Sequence, residues 1–85
     1  MQTVELYTTN TCGFCNAAKR LLTAKGVSFA EVSLNAQPER RAEMMQRANG
    51  GRTVPQIFIG TTHVGGYDDL HALEAAGKLD ALLAG

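Results

Sequence analysis

The stretch TVELYTTNTCGFCNAAKRLLTAK, residues 3–25, carries the signals that decide the fold. Its first part, residues 3–8, alternates apolar and polar side chains, as a half-buried strand does. Its last part, residues 13–25, places alanines and leucines along one face of a helix. Cys12 and Cys15 stand between these two parts, at the start of the helix. A CxxC pair that follows a strand and opens a helix indicates thiol–disulfide chemistry in an α/β domain.

The two cysteines differ in their expected environments. Cys12 lies at the helix start, where unpaired N–H groups and the helix dipole favour an anion. Such positions lower the pKa of a thiol from about 8.5 to values of ~3.5–7.5, and the thiolate is the form that attacks a disulfide. Cys15 lies one turn further in, which suits a resolving thiol. We therefore predict Cys12 as the nucleophile and Cys15 as its partner, with Phe14 at the rim to pack on a substrate.

Two simpler interpretations of the pair remain open. A CxxC motif can be half of a zinc site, but the only other soft ligands, His63 and His71, have the wrong spacing for a zinc finger. The two thiols could also be unrelated core cysteines. The strand before the pair and the helix after it favour the redox interpretation. We expect both histidines to be solvated surface residues.

The remaining sequence predicts the element order β-α-β-α-β-β-α-α. Asn35 is the expected cap of the second helix and Asp68 that of the third. The first strand, helix and strand require a parallel right-handed crossover, whereas the short spacing between the third and fourth strands allows only an antiparallel hairpin. We predict one domain, residues 1–85, of the α/β class. The later elements are expected at residues 28–33, 38–48, 56–59, 63–64, 68–76 and 78–84.

Two further segments could hold a short peptide. Pro55 cannot donate to a sheet ladder, and a cis Val54–Pro55 bond would turn the backbone of Val54 outward to pair with an extended peptide. Residues 65–69, GGYDD, offer free N–H groups at a helix start, which suit a carboxylate. Asp68 or Asp69 could bind an ammonium group instead. The alternative is that the glycines form only a turn and that Asp68 is only a helix cap.

With these residues in place, the chain resembles the glutaredoxins, specifically the small bacterial dithiol type. The resemblance covers essentially the whole chain and rests on LYT at 6–8, CGFC at 12–15, TVPQIFIG at 53–60 and GGYDDL at 65–70. Thioredoxins are longer and typically carry a Trp before a CGPC site, and this chain has no Trp. The resemblance implies a thioredoxin-like fold, with a four-stranded mixed sheet and helices on both faces. It also implies a cis Val54–Pro55 bond and glutathione as cosubstrate.

The resemblance also implies a glutathione site. Thr53 and Val54 would hold the cysteinyl part through backbone pairing. The backbone of residues 66–68 would contact the γ-glutamyl carboxylate, with Asp69 near the ammonium group, and Phe14 takes the place of a common Tyr. The glutathione-binding residues implied in this way are Phe14, Thr53, Val54, Pro55, Gly66, Tyr67, Asp68 and Asp69.

Two positions depart from the common pattern. Many dithiol glutaredoxins carry Pro where this chain has Gly13, and the CGF sequence resembles monothiol relatives that bind iron–sulfur clusters. Many members also carry a Lys where this chain has Thr9, to contact the glycyl carboxylate of glutathione. Either another cation contacts the glycyl carboxylate, or the affinity for that end of glutathione is weaker. The candidate cations are Arg40, Arg41 and Arg47.

The function implied by the resemblance is glutathione-dependent reduction of protein–glutathione mixed disulfides and protein disulfides through Cys12 and Cys15. The expected partners are glutathione, glutathionylated or disulfide-bonded proteins, and a reductase such as ribonucleotide reductase. The alternative is a dimer that carries a [2Fe–2S] cluster, with Cys12 of each chain and two glutathiones as ligands.

Composition and charge exclude other classes of function. The eight Lys and Arg residues and the eight Asp and Glu residues give a net charge of zero. The sequence also lacks the stripe of basic residues that is typical of nucleic-acid binding. The longest apolar runs are far shorter than the roughly 20 residues that cross a bilayer. The N-terminal residues lack a signal-peptide pattern, so we expect a cytoplasmic monomer whose cysteines serve redox chemistry rather than a structural staple.

Overall fold

Four strands and four helices follow one another in the predicted order in a computed structural model, which describes residues 1–85. A 3₁₀ turn at Pro38–Arg40 leads into the second helix. The strands are β1 (Val4–Thr8), β2 (Ala30–Ser33), β3 (Gln56–Ile59) and β4 (Thr62–Gly65); the helices are α1 (Gly13–Ala24), α2 (Arg41–Arg47), α3 (Tyr67–Ala75) and α4 (Leu79–Ala84).

The strands form one mixed sheet in the order β2-β1-β3-β4. β1 pairs with β2 in parallel through the α1 crossover, and it pairs with β3 in antiparallel fashion. β3 and β4 form the antiparallel hairpin that the sequence predicted. β1 therefore ends and β3 begins beside the start of α1, because β1 leads directly into the Cys12 loop and Tyr7 pairs with Gln56.

Alternating side chains on the central strands give the sheet two buried faces. Val4 and Leu6 face one cluster of ten buried residues, which α1, α3 and α4 complete. Tyr7 and Phe58 face a second cluster of six, which includes Met44 of α2. Each fully buried aliphatic or aromatic side chain contributes roughly 1.5–3 kcal/mol. The predicted arrangement of helices on both faces is confirmed.

Two glycines end helices as predicted, whereas the predicted cap of the second helix is wrong. Gly26 and Gly77 have positive φ values of 74° and 70°, the left-handed conformation that glycine adopts without steric cost. Asn35 does not cap the second helix. Its Oδ1 instead accepts a hydrogen bond from the Asn10 N–H at 2.7 Å. That helix begins with the 3₁₀ turn, where Pro38 is tolerated because an N–H at a helix start has no intrahelical partner.

Candidate active site

Cys12 is the N-cap residue of α1, and its sulfur takes the role that an oxygen usually has there. Its extended backbone, φ −98° and ψ 108°, turns the side chain back over the first helical turn. Cys12 Sγ accepts a hydrogen bond from the Cys15 N–H at 3.0 Å. The two cysteines form a disulfide with Cα atoms 5.1 Å apart. Cys15 is fully buried and Cys12 is half-buried, so only one of the two sulfurs faces solvent.

The segment 53–55 lies directly beside Cys12. The Val54–Pro55 bond is cis, as predicted. The Val54 carbonyl oxygen lies 3.5 Å from Cys12 Sγ. No backbone–backbone hydrogen bond of the chain uses the N–H or C=O of Val54. A backbone residue next to the half-buried sulfur is therefore free to pair with a bound peptide.

The start of α3 differs in one respect from its prediction, because Asp68 is not the cap. Gly66 is the N-cap, and Asp69 Oδ2 accepts a hydrogen bond from the Gly66 N–H at 3.0 Å. The helix begins earlier than expected, which places Asp69 at the third helical position, the acidic position of a capping box. Gly65 has a φ of 114°, and a Cβ there would collide with the Asp69 carboxylate. The N–H groups of Tyr67 and Asp68 have no backbone partner.

An aromatic contact joins the starts of α1 and α3. The ring of Phe14 is 62% exposed and stacks on Tyr67, with centroids 6.1 Å apart and planes 20° apart. Gly66 in turn faces the Pro55 carbonyl oxygen, which lies 3.7 Å from the position of a Cβ. The structure thus brings the three predicted segments, residues 12–15, 53–55 and 66–69, together around the half-buried sulfur of Cys12.

The glutaredoxin family model matches residues 4–64. The chain is 60% identical over 84 residues to a glutaredoxin of Pseudomonas aeruginosa, and the match covers 99% of both proteins. The chain belongs to the glutaredoxin family. Glutaredoxins are thiol–disulfide oxidoreductases with a thioredoxin-like fold, so the predicted fold class is confirmed.

Solved glutaredoxin structures agree with this fold. The solution structure of a Brucella melitensis glutaredoxin is 55% identical with a TM-score of 0.83, and the match covers 98% of this chain and 89% of that one. The crystal structure of a buckwheat glutaredoxin–glutathione complex is 29% identical with a TM-score of 0.88, covering 98% of this chain and 77% of that one.

The three arginines considered for the glycyl end of glutathione have different partners in this glutaredoxin. Arg40 pairs with Glu43 at 2.7 Å, and Arg47 pairs with Glu5 at 3.0 Å. Arg41 has no carboxylate partner. Its Nη1 donates to the carbonyl oxygen of Arg52 at 3.0 Å, immediately before Thr53. Of the three, Arg41 is therefore the arginine whose contact adjoins the segment 53–55.

A polar network on the α2 side of the sheet accounts for the other two arginines. The Tyr7 hydroxyl donates to Glu43 and accepts from Arg47 Nη1, the latter bond being 2.9 Å long. Burial, followed by the hydrogen bond to Glu43, raises the pKa of Tyr7. The hydrogen bond from Arg40, followed by that from Tyr7, lowers the pKa of Glu43. These charges balance one another and hold α2 against β1.

Two residues that contact the site were missed by sequence reasoning. Gln56 is 4% exposed, and its Nε2 lies 3.4 Å from Thr53 Oγ1. His63 is exposed as predicted, but its Nε2 lies 2.7 Å from Gln56 Oε1 and its ring stacks on Phe58. The signal for this contact lies in the pairing of the two strands and not in a motif. The hairpin register pairs Phe58 with His63, and Gln56, two residues before Phe58, shares that face of the sheet.

Two further features bear on the class of site. No three His, Cys, Asp or Glu side chains of the chain gather as a metal site. None of the helices has the length and apolar character needed to span a membrane.

Proposed function

We propose that this glutaredoxin reduces protein–glutathione mixed disulfides and protein disulfides, with Cys12 as the nucleophile and Cys15 as the resolving thiol. One observation carries the proposal. The half-buried Cys12 sulfur accepts an N–H hydrogen bond at the start of α1, while the fully buried Cys15 lies within disulfide distance of it. The position of Cys12 stabilises a thiolate, and the burial of Cys15 keeps its sulfur away from external disulfides.

The proposed reaction with a mixed disulfide has two exchange steps. The Cys12 thiolate attacks the glutathionyl sulfur, the S–S bond of the substrate breaks, and the protein thiol leaves as a thiolate that takes up a proton from water. The thiolate of a second glutathione then attacks the glutathionyl sulfur on Cys12. Oxidised glutathione leaves and the Cys12 thiolate is regenerated.

A protein disulfide requires both cysteines. Cys12 attacks one of the substrate sulfurs and forms a mixed disulfide with the protein. The Cys15 thiolate then attacks Cys12 Sγ, which releases the reduced protein and leaves the disulfide between Cys12 and Cys15. Two glutathiones reduce that disulfide and leave as oxidised glutathione.

The free backbone groups around Cys12 suit glutathione. We propose that Val54 pairs with the cysteinyl part, since its N–H and C=O have no backbone partner. The free N–H groups of Tyr67 and Asp68 suit the γ-glutamyl carboxylate. Asp69 uses one oxygen to accept from Gly66, and its other oxygen would face the ammonium group. The buckwheat glutaredoxin–glutathione complex supports this choice of ligand.

The remaining proposed contacts involve side chains. Phe14 and Tyr67 would pack on the substrate beside the sulfur, since their stacked rings border Cys12. Thr53 and Pro55 would hold the paired segment in place. We propose Arg41 for the glycyl carboxylate, because it lacks a carboxylate partner and contacts the residue before Thr53. Glutathione is abundant in the cytoplasm, which is where we propose that the protein acts.

The proposal is tested by comparing Cys12→Ser with Cys15→Ser on two substrates, a glutathionylated peptide and a protein disulfide. We expect Cys12→Ser to be inactive on both. Cys15→Ser should keep its activity on the glutathionylated peptide and lose its activity on the protein disulfide. A Cys15→Ser variant that is inactive on the glutathionylated peptide would contradict the single-thiol route.

A second candidate function is to carry a [2Fe–2S] cluster between two copies of the chain. The observation that favours it is the half-buried Cys12 next to Gly13, where a Cβ would meet nothing within 4 Å beyond the adjoining residues and the backbone of its own helix. One chain alone does not gather enough side chains to hold the cluster, so Cys12 of each copy and two glutathione thiolates would be its ligands. Protein purified without oxygen is the test. A brown dimer that Cys12→Ser abolishes would support a cluster, and a colourless monomer would exclude it.

A further inference from the structure

Gln56 is a buried polar residue that the proposed chemistry does not use. It is the first residue of β3, directly after Pro55, and it is 4% exposed. Both ends of its amide group have partners: Oε1 lies 2.7 Å from His63 Nε2, and Nε2 lies 3.4 Å from Thr53 Oγ1. A buried amide without partners is costly, so these contacts fix the orientation of the side chain.

His63 is held in a definite position although it is exposed. Its ring stacks on Phe58, with centroids 5.0 Å apart, and Phe58 is 2% exposed. The Arg47 guanidinium lies 4.1 Å from the centroid of the same Phe58 ring. Because Gln56 Oε1 is an acceptor, His63 Nε2 carries the proton of this hydrogen bond. The imidazole thus supplies a fixed donor on β4.

The surroundings of Gly51 are independent evidence that the amide of Gln56 packs against the loop before β3. A Cβ at Gly51 would lie 3.0 Å from Gln56 Nε2 and 3.1 Å from Ala48 Cβ. The φ of Gly51 is not in the left-handed region, so the backbone conformation does not call for glycine here. The absence of a side chain instead gives the amide room beside the loop backbone, close to Thr53.

We propose that Gln56, oriented by His63, is a positioning residue for the segment 53–55. The hydrogen-bond chain from His63 through Gln56 to Thr53 joins the β3–β4 hairpin to the residue before Val54. This inference rests on the proposed pairing of that backbone with glutathione. Loss of the chain lets Thr53 and Val54 adopt more conformations, which weakens binding of the glutathionyl group and leaves the Cys12 sulfur unchanged.

The test uses His63→Phe, which keeps an aromatic ring over Phe58 and removes the donor, and Thr53→Val, which keeps the shape of Thr53 and removes the acceptor. For each variant we expect the KM for a glutathionylated peptide to rise about 3- to 10-fold, the effect of one lost hydrogen bond, with kcat within about twofold of the wild type. The double variant should resemble either single variant, because both changes break the same chain. Thr62→Val, which changes another exposed residue of β4, is the control and should leave KM unchanged.

Two readouts separate positioning from a merely structural role. The Val54 amide signal in NMR spectra should shift in His63→Phe and not in Thr62→Val. The rate at which iodoacetamide alkylates Cys12, which needs no glutathione, should not change in His63→Phe. If the wild type uses the glutathionylated peptide and both variants keep its KM, the positioning role is excluded. If the wild type does not use that peptide at all, it is the proposed function that fails.

Discussion

At the scale of single residues, the active site depends on a sulfur atom that caps a helix. Oxygen-bearing side chains usually accept the first free N–H groups of a helix, and here Cys12 Sγ accepts from Cys15. The same geometry stabilises negative charge on the sulfur when the disulfide is reduced. The cap and the proposed nucleophile are therefore one atom.

This geometry predicts how the reduced thiol titrates. The N–H donor and the helix start should hold the pKa of the Cys12 thiol below the value of about 8.5 for free cysteine, although no Lys lies at position 9. Thiolate absorbance near ~240 nm, followed against pH in Cys15→Ser, measures it. The control is Cys12→Ser, whose absorbance is followed against pH in the same way. A midpoint at or above about 8.5 would show that the helix start contributes nothing.

Some residues of the site could be predicted from the sequence, and others could not. The CGFC motif was sufficient to predict the paired cysteines, because it is a local signal. The cis bond before Pro55 was predicted from the family resemblance, since a proline before a strand only allows it. The capping role of Asp68 was predicted wrongly, since the helix starts earlier than expected, with Gly66 as the N-cap and Asp69 at the third helical position. The contacts of Gln56 and His63 required the hairpin register, which a search by motif alone does not use.

At the scale of elements, the carboxylate that accepts a free N–H at the start of α3 belongs to Asp69 and not to Asp68. We predict that Asp69→Ala lowers the free energy of unfolding by about 0.5–2 kcal/mol, because the Gly66 N–H loses its acceptor. Asp68→Ala is the matched control. Asp68 is exposed and its side chain makes no hydrogen bond within the chain, so we expect a change below about 0.5 kcal/mol. Urea unfolding of both variants measures the difference, and equal losses would refute the capping role of Asp69.

A second prediction concerns Glu31, which ties β2 to β1 and α1. Its carboxylate accepts from Thr8 Oγ1 at 2.6 Å and from Lys19 Nζ at 3.0 Å. The Thr8 hydrogen bond first, and Lys19 after it, lower the pKa of Glu31 against the opposing effect of burial. A lowered folded-state pKa means that this contribution to stability is complete above the unfolded value of about 4.3 and is lost as the pH falls through the folded value.

Thr8→Val tests this assignment because it keeps the shape of the buried side chain and removes the donor. The pKa of Glu31, measured from its carboxyl carbon by NMR, should move up towards its ordinary value. The loss of stability between pH 7 and pH 3 should become smaller than in the wild type. Lys19→Met should have a lesser effect in the same direction. An unchanged Glu31 titration in Thr8→Val would exclude the hydroxyl as the main cause.

At the scale of the whole molecule, the two buried clusters share a single sheet. Leu22 belongs to the cluster of α1, α3 and α4, and Met44 belongs to the cluster of α2. Both are fully buried, so Leu22→Ala and Met44→Ala should each cost about 2–5 kcal/mol. That is a large share of the about 4–13 kcal/mol expected for a chain of this size.

Since neither cluster has a sheet of its own, we predict that residues 1–85 unfold as one unit. Methyl signals of Leu70 and Met44 should disappear at the same urea concentration, in the wild type and in Leu22→Ala. Leu22→Ala should shift both midpoints equally, although Leu22 lies on the opposite face of the sheet from Met44. Separate midpoints for the two methyl groups would show two independent folding units.

The element order and the mixed sheet followed from patterns that are local in the chain: alternation, helical spacing and the glycines that end α1 and α3. The placement of helices on both faces of the sheet was predicted from the family resemblance. The charge pairs on the α2 face did not follow, because Arg47 and Glu5 are 42 positions apart and meet only after the sheet and α2 have assembled. Arg47, which seemed free for a ligand in the sequence, is therefore paired within the fold, and Arg40 pairs with its helical neighbour Glu43.

The contact between Phe14 and Tyr67 also has an optical consequence. The chain has no Trp and two Tyr residues, so its ultraviolet emission comes from two phenols. Tyr7 is fully buried with its hydroxyl donating to Glu43, and a ligand bound beside Cys12 does not reach it. Tyr67 stacks on Phe14 at the rim of the site. We therefore expect any change in tyrosine emission on adding glutathione to come from Tyr67, which would let the unlabelled protein report the proposed binding.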